Sequence, residues 1–392
     1  MKRRSFVAVS AVSAARVLGA NDRVNVGLIG AGGRGRFLAG EFKEIGAQVN
    51  AVCDVYEPNL AEGLKAANTG AKAFDHYQRL LEDKDVDAVI VATPDHWHAQ
   101  MTIDAVNAGK DVYVEKPMAH TIEEGFRMID ATRKTKRIVQ VGTQRRSAEL
   151  FLAGKKVLDS GVCGDIRLVN SWWYNHTASP RGVELKGKLD WNQWLGSAPK
   201  RPLDAMRFRN WYWFWDYSGG LLVGQAAHIV DAILWYMNSS YPLKVTCSGG
   251  RTQTAEFEVP ETATLTFECP ENYFAVFTLG YKAMRYHMYN DQKVEYHGDK
   301  ARFDVGREWW ELYPESNAME MKAAQVNKQP GSFKFATAAH IRNFLDCVKT
   351  RKEPNAPVEA GQATNIVLCL AMDSLRQGKT LRWNHAARKV EG

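Results

Sequence analysis

Apolar positions in the first third of this chain fall into short continuous runs. Residues 24–29, 49–53, 88–92, 112–114 and 138–141 are brief and rich in β-branched side chains. Such runs read as strands buried on both faces, as in a parallel sheet. The stretches between them carry helical spacing: from the glycine-rich turn at 30–35 to about residue 45, then 57–68, 96–108 and 122–136. The helix at 96–108 closes at Gly109, a residue suited to a left-handed C-cap. Strand and helix alternate throughout, which predicts a doubly wound sheet with helices on both faces.

After Gly142 the texture changes. One helix is expected at 147–159, followed by segments of β character at 166–174, 243–248, 262–269, 273–281, 294–297 and 302–304. Strands joined by loops predict an antiparallel sheet. Two helices, at about 336–349 and 359–377, close the chain. Ile341, Phe344, Leu345 and Val348 have the spacing of a buried helical face. The expected fold class is therefore α/β. A parallel domain at 21–145 precedes an α+β domain at 146–392 on a mostly antiparallel sheet, with the last helices packing back on the first domain.

The chain has 392 residues, long enough for two domains. No run of about 18 apolar residues occurs, so no membrane insertion is expected. Basic side chains number 51 against 44 acidic ones. Four of the basic ones, Lys2, Arg3, Arg4 and Arg16, lie in a front segment without any acid. The remainder is only mildly basic with interspersed charges, so no nucleic-acid partner is expected. Residues 1–20 start basic, continue through small and apolar residues, and end in Leu18-Gly19-Ala20. That is signal-peptide grammar, and Arg3-Arg4 before Ser5-Phe6-Val7 resembles a twin-arginine export motif. The expected location is periplasmic or otherwise extracytoplasmic; an unprocessed basic N-terminus would leave the protein cytoplasmic. Six cysteines without a C-x-x-C pair read as buried thiols.

Gly30-Ala31-Gly32-Gly33-Arg34-Gly35 has the G-x-G-x-x-G spacing, placed after a strand and at the start of a helix. The first glycine permits the turn, the second lets a pyrophosphate approach the backbone, and the third lets helix and strand pack closely. Asp54 ends the second strand, where an acid can bind ribose hydroxyls and repel a 2′-phosphate. The expected cofactor is NAD. Arg34 and Arg36 keep NADP open. An exported enzyme of this kind would have to hold its cofactor tightly.

At this point the chain resembles the Gfo/Idh/MocA oxidoreductases, over roughly residues 23–384. The resemblance is carried by the glycine fingerprint, Thr93-Pro94 with His98 after it, Glu115-Lys116-Pro117, Gly219-Gly220 with His228 and Asp231 downstream, and the closing pattern from Phe344 to Trp383. It implies that Gly30, Gly32, Gly33, Arg34, Gly35, Asp54, Thr93, Pro94, His98, Glu115 and Lys116 surround the cofactor. It also implies that Lys116 and His228 are catalytic. An ammonium can stabilise an alkoxide, and a near-neutral imidazole can take a hydroxyl proton. Many members carry an acid four positions before that histidine. Here that position is Gly224, followed by Gln225. The alternatives are that His228 works with Lys116 and water, that Asp216, Asp231 or a tyrosine substitutes, or that the chemistry has changed. If only a helper carboxylate is missing, Gly224→Asp is expected to be tolerated.

The run Arg209-Asn210-Trp211-Tyr212-Trp213-Phe214-Trp215-Asp216-Tyr217 precedes the histidine segment. Trp211, Trp213 and Trp215, with Trp172, are expected to wall a sugar-sized pocket; Trp173, Tyr174, Trp191 and Trp194 are further candidates. Gln144, Arg145 and Arg146, after the last strand of the parallel sheet, together with His228 and Asp231, are expected to meet substrate. His96 and His98 are two apart and do not share a helix face, so no metal site is expected. The reading is an NAD(P)-dependent oxidoreductase acting on a carbohydrate or polyol hydroxyl, associating as a homo-oligomer through its C-terminal sheet. The alternative is a glycoside hydrolase that works by transient oxidation, elimination, water addition and re-reduction with bound NAD.

Overall fold

The computed structural model describes residues 23–391 apart from 176–179, 253, 282, 285, 317 and 319. The export reading of residues 1–20 lies outside the described residues.

The first domain runs β1 (Asn25–Ile29), α1 (Gly33–Glu44), β2 (Gln48–Cys53), α2 (Glu57–Ala66), β3 (Lys72–Phe74), α3 (Tyr77–Glu82), β4 (Ala88–Val91), α4 (Asp95–Asn107), β5 (Asp111–Val114), α5 (Ile122–Thr135) and β6 (Val139–Val141). Its six strands are all parallel in the order β3-β2-β1-β4-β5-β6. Every residue of β4, β5 and β6 is buried, which is why these strands read as unbroken apolar runs. The order reverses at β1, so a crevice opens between the C-terminal ends of β1 and β4. Helix α5 starts with a capping box. The Thr121 side chain accepts from the Glu124 N–H at 3.1 Å, and Glu124 accepts from the Thr121 N–H at 3.0 Å.

The second domain begins with α6 (Glu149–Asp159) and β7 (Ile166–Tyr174), then α7 (Trp191–Leu195), α8 (Ala205–Arg209) and the long α9 (Gly220–Tyr236). Seven strands follow: β8 (Lys244–Gly249), β9 (Thr262–Cys269), β10 (Tyr273–Gly280), β11 (Gln292–Gly298), β12 (Ala301–Val305), β13 (Trp309–Pro314) and β14 (Gln325–Lys328). Then come α10 (Ala336–Thr350), α11 (Val358–Gln377), β15 (Leu381–Asn384) and β16 (Lys389–Glu391). The ten strands form one sheet, ordered β14-β13-β12-β11-β7-β10-β9-β8-β15-β16. All its neighbours are antiparallel except β7 and β10. No helix among the described residues is long and apolar enough to cross a membrane.

Helix α9 is apolar on nearly all sides because it lies between layers. The two closing helices complete the first domain. Phe344 of α10 meets the rings of Phe42 and Tyr113 edge-on, and Arg351 pairs with Asp111 at the foot of β5. Asn365 and Gln362 of α11 donate to the Thr121 and Ile122 carbonyls at 2.9 Å.

Candidate functional site

A cleft of about 950 Å³ opens over the C-terminal ends of β1, β2, β4 and β5. Its floor is the glycine turn, and the four glycines differ in what they do. Gly30 has φ +89°, and a Cβ there would lie 2.7 Å from the Ala92 carbonyl oxygen. A Cβ on Gly35 would lie 1.9 Å from the Gly30 carbonyl oxygen. These two are required by the fold itself. Cβ atoms on Gly32 and Gly33 would meet nothing within 4 Å, so their bareness serves whatever lies on the turn. Helix α1 starts there without a side-chain cap and with no acid in its first turn. Its amide dipoles are left for an anion, and the turn fits a pyrophosphate.

Asp54, just past β2, lines the same cleft. Its carboxylate accepts from the Ala31 N–H at 2.7 Å and the Tyr56 N–H at 2.9 Å. Burial pushes its pKa up to about 6, against the pull of these hydrogen bonds and of Arg36. Arg36 donates to the Ala31 carbonyl at 2.7 Å, and Arg34 pairs with Glu115 at 2.7 Å. Both guanidinium groups are thus engaged by the protein rather than held out for a 2′-phosphate. Asp54→Ala should weaken NAD binding about tenfold or more, the scale of a lost charged hydrogen bond. It should also narrow the preference over NADP. In the wild type, NAD affinity should fall as the pH drops through about 6 and Asp54 takes a proton. Calorimetric titration with both nucleotides across that range checks this; unchanged affinities in Asp54→Ala would remove the residue from the site.

The other end of the cleft holds the groups able to move a proton. Lys116 follows β5, and its Nζ donates to the Gly224 carbonyl of α9 at 3.0 Å. Burial lowers its pKa, while Glu115 and Asp95 pull it back up. Glu115 is buried and fixed by Arg34 and by the Lys116 N–H at 3.2 Å, and it keeps its charge because Arg34 and Lys116 offset the burial. His228 sits one turn after Gly224. Its ring lies tilted against Trp173, 5.8 Å between centroids. Burial first, then the positive charges of Lys116, Arg145, Arg34 and Arg307, depress its pKa well below the usual imidazole value. A neutral imidazole is a competent base. Its Nδ1 is buried with no partner among the described residues, and the residue lines the cleft.

Thr93 and Pro94 line the cleft at the end of β4. His98 joins the two strand ends: Nδ1 lies 2.6 Å from the Pro117 carbonyl and Nε2 lies 2.9 Å from the Thr93 carbonyl. His96 is engaged separately, by the Trp194 carbonyl at 3.1 Å.

Several residues expected to meet substrate lie elsewhere. Of the turn Gln144–Ser147, Gln144 reaches the cleft. Arg145 is buried behind it, bonded to Gln292 and lying over the Phe151 and Phe333 rings. Arg146 holds Asp231, donating to both carboxylate oxygens at 2.9 Å, and both are buried. Neither arginine nor Asp231 is among the residues that line the cleft. Among the tryptophans, Trp211 and Trp194 line the cleft. Trp213 is stacked on Phe257, Trp215 lies under Arg376, and Trp172 donates to the Asn290 carbonyl and stacks with Tyr174. Asp216 pairs with Arg201 and Arg207 rather than with His228.

Two residues gained importance. Asp95, at the start of α4, is buried in the cleft wall and accepts from Ser218 Oγ at 2.6 Å. Burial raises its pKa, opposed by His98 and Lys116. Tyr212 lines the cleft beside Gly224. A Cβ on Gly224 would lie 1.4 Å from Tyr212 Oη. A side chain at Gly224 would therefore require the phenol to move.

The segment before Tyr212 straps over the Asp54 end of the cleft. Leu189 bridges to Tyr56, the Glu57 N–H donates to the Lys188 carbonyl, and the Asp190 N–H donates to the Val55 carbonyl, both at 2.9 Å. The Lys186 N–H donates to Tyr56 Oη at 2.8 Å, and Trp97 Nε1 donates to the Trp194 carbonyl at 2.7 Å.

A parallel sheet with an anion-ready glycine turn, an acid at the second strand end and a second domain closing over it define a dinucleotide-binding α/β protein of two domains. The chain belongs to the GFO/IDH/MocA family. Residues 24–143 match its oxidoreductase, NAD-binding Rossmann-fold domain, and residues 151–304 match its C-terminal domain. Inositol 2-dehydrogenase of Salmonella paratyphi B is 36% identical over 136 residues, 34% of this chain and 40% of that protein. A glycosyl hydrolase family 109 protein of a Shewanella species is 43% identical over 125 residues, 30% of this chain and 27% of that protein. These matches span less than half the length of the curated relatives. The solved structure of the WlbA dehydrogenase from Bordetella pertussis, in complex with NADH and UDP-GlcNAcA, shares the fold. Its TM-score is 0.71 at 22% identity, covering 92% of this chain and 98% of that one.

Proposed function

We propose that this protein is an NAD-dependent oxidoreductase that transfers hydride between a carbinol carbon of a carbohydrate or polyol and nicotinamide. The observation that carries the reading is the meeting of Lys116 and His228 across Gly224, in the same cleft as the glycine turn and Asp54. Gly30–Gly35, Asp54, Thr93 and Pro94 would hold NAD, which supplies the hydride acceptor when bound. His228, neutral in its setting, takes the substrate hydroxyl proton. Lys116 presents its ammonium to the developing alkoxide. Glu115 positions Lys116 and ties it to Arg34. The aromatic face of Trp211 suits the C–H face of a sugar ring. The strap over Asp54 favours a cofactor that stays bound from one turnover to the next.

One observation favours a second reading, a glycoside hydrolase that oxidises and re-reduces its sugar: the 43% identity to the Shewanella glycosyl hydrolase family 109 protein. Retained cofactor suits that cycle equally. The two readings separate in one assay, which follows the absorbance of reduced nicotinamide while the enzyme turns over free polyols and aryl glycosides. Reduction of the bound NAD, up to one equivalent per enzyme, with a free sugar or polyol is the expected result. Aglycone release without net NADH and without added cofactor would replace the dehydrogenase reading with the hydrolase one.

A further inference from the structure

Gly224 and His228 are four residues apart on α9, so a side chain at 224 would stand on the same face as the imidazole, one turn away. That place is taken by a group from another element. Tyr212 comes from the short turn Trp211–Trp213, and its Oη lies 1.4 Å from where a Gly224 Cβ would be. The same glycine's carbonyl anchors the Lys116 ammonium at 3.0 Å. One bare position on α9 therefore gathers a phenol, an ammonium and an imidazole on one cleft wall, and all three residues line the cleft. The glycine is bare because the phenol needs the room.

We propose that the Tyr212 hydroxyl is a further catalytic group, donating a hydrogen bond to the reacting oxygen of the substrate beside Lys116. The inference rests on the oxidoreductase reading of the cleft. Burial, with Asp95 and Tyr281 nearby, holds the phenol well above its ordinary pKa, so it stays neutral and keeps its proton. The substrate O–H bond breaks, its proton passes to His228, and the charge left on the oxygen is shared between the Tyr212 O–H and the Lys116 ammonium. Tyr212 ends the step as it began. A neutral donor has a consequence that a carboxylate in this place would not. It adds no negative charge beside His228, whose charged surroundings are then Lys116, Arg34, Arg145 and Arg307. The imidazole pKa accordingly stays depressed.

The test compares Tyr212→Phe, Tyr212→Ala, Gly224→Asp and the double variant Tyr212→Ala/Gly224→Asp, with Lys116→Ala as the marker for the cleft itself. Tyr212→Phe should lose about 10- to 100-fold in kcat/KM, towards the lower end of acid–base contributions, with NAD affinity unchanged. Gly224→Asp alone should lower the melting temperature, because two groups compete for one volume. Tyr212→Ala in the same chain should restore the melting temperature but leave kcat/KM at or below that of Tyr212→Ala alone, because a carboxylate has no proton to donate to an alkoxide. The acid limb of its pH profile should move to higher pH, since a carboxylate one turn from His228 favours the imidazolium. Wild-type kcat/KM in Tyr212→Phe, or a double variant restored to wild-type kcat/KM, overturns the proposal while Lys116→Ala keeps its deficit. An active Lys116→Ala would instead overturn the oxidoreductase reading on which it rests.

Discussion

Lys116→Ala should lower kcat by about 10²-fold or more, the loss expected for an oxyanion or acid–base group. The effect follows from the ammonium's setting. It is half-buried between β5 and α9, its direction is fixed by the Gly224 carbonyl at 3.0 Å, and Glu115 and Asp95 favour its charge against the burial that lowers its pKa. A preorganised charge of this kind does not have to reorient when negative charge develops on substrate. NAD affinity should remain close to that of the wild type, because the pyrophosphate and ribose ends are held by the glycine turn and Asp54. His228→Ala should fall by a similar factor. The double variant should be no worse than the poorer single one, because both groups serve one oxygen and its proton. Steady-state kinetics of the three proteins, with calorimetric NAD binding alongside, check the pattern. Multiplicative losses would show that the two residues act on separate steps.

Arg146→Met should damage the fold rather than the chemistry. The guanidinium donates to both oxygens of Asp231, lies 5.5 Å from the Trp235 ring centre, and leaves Asp231 1% exposed. Removing one partner of such a pair strands the other charge, and the expected cost is about 3–5 kcal/mol. Arg146→Met/Asp231→Leu should recover most of it, because an apolar pair of similar volume carries no desolvation penalty. The sign of the pH dependence is also fixed. Burial already raises the Asp231 pKa, and losing Arg146 raises it further. The folded variant then binds a proton more readily than the unfolded chain does, so its stability falls as pH rises and the deficit is smallest in acid. Denaturant titrations at several pH values measure this. A wild-type unfolding midpoint with a raised KM would return Arg146 to the substrate site.

These two residues mark where the sequence was readable and where it was not. The parallel domain was legible because its strands are buried on both faces and its helices carry one apolar stripe. The expected helices at 57–68, 96–108 and 122–136 appear as Glu57–Ala66, Asp95–Asn107 and Ile122–Thr135. Strand β3 escaped because it has three residues and two of them are exposed. Strand β13 escaped because four consecutive residues are buried and no alternation shows, and β14 because it is a polar edge. The parallel pairing of β7 with β10 inside an otherwise antiparallel sheet has no signature in either strand.

At the site, the glycine turn and Asp54 were legible from residue types suited to strand ends, and Glu115-Lys116-Pro117 from the family resemblance. Arg145 and Arg146 also follow a strand end but lie away from the cleft. The chain there enters a tight turn that sends only Gln144 to the cleft. The aromatic run divides for the same reason. A three-residue turn at Trp211–Trp213 has no period from which to read direction, so Trp213 goes into the core while Trp211 and Tyr212 face the cleft. Gly224 read as a missing side chain. Only packing shows it as space made for Tyr212. Asp95 looked like an ordinary acid at a helix start, and its burial against Ser218 comes from a contact 123 residues away.

Hydride transfer at this cleft is the central claim, and an isotope follows it most directly. A polyol or sugar substrate deuterated at the reacting carbinol carbon is mixed with the enzyme and NAD for a single turnover, quenched in acid, and the nicotinamide ring is analysed by mass spectrometry. The account predicts deuterium on the ring at the rate of turnover in the wild type, and a rate lower by about 10²-fold or more in Lys116→Ala. Turnover of the deuterated substrate with no label on the nicotinamide would contradict it.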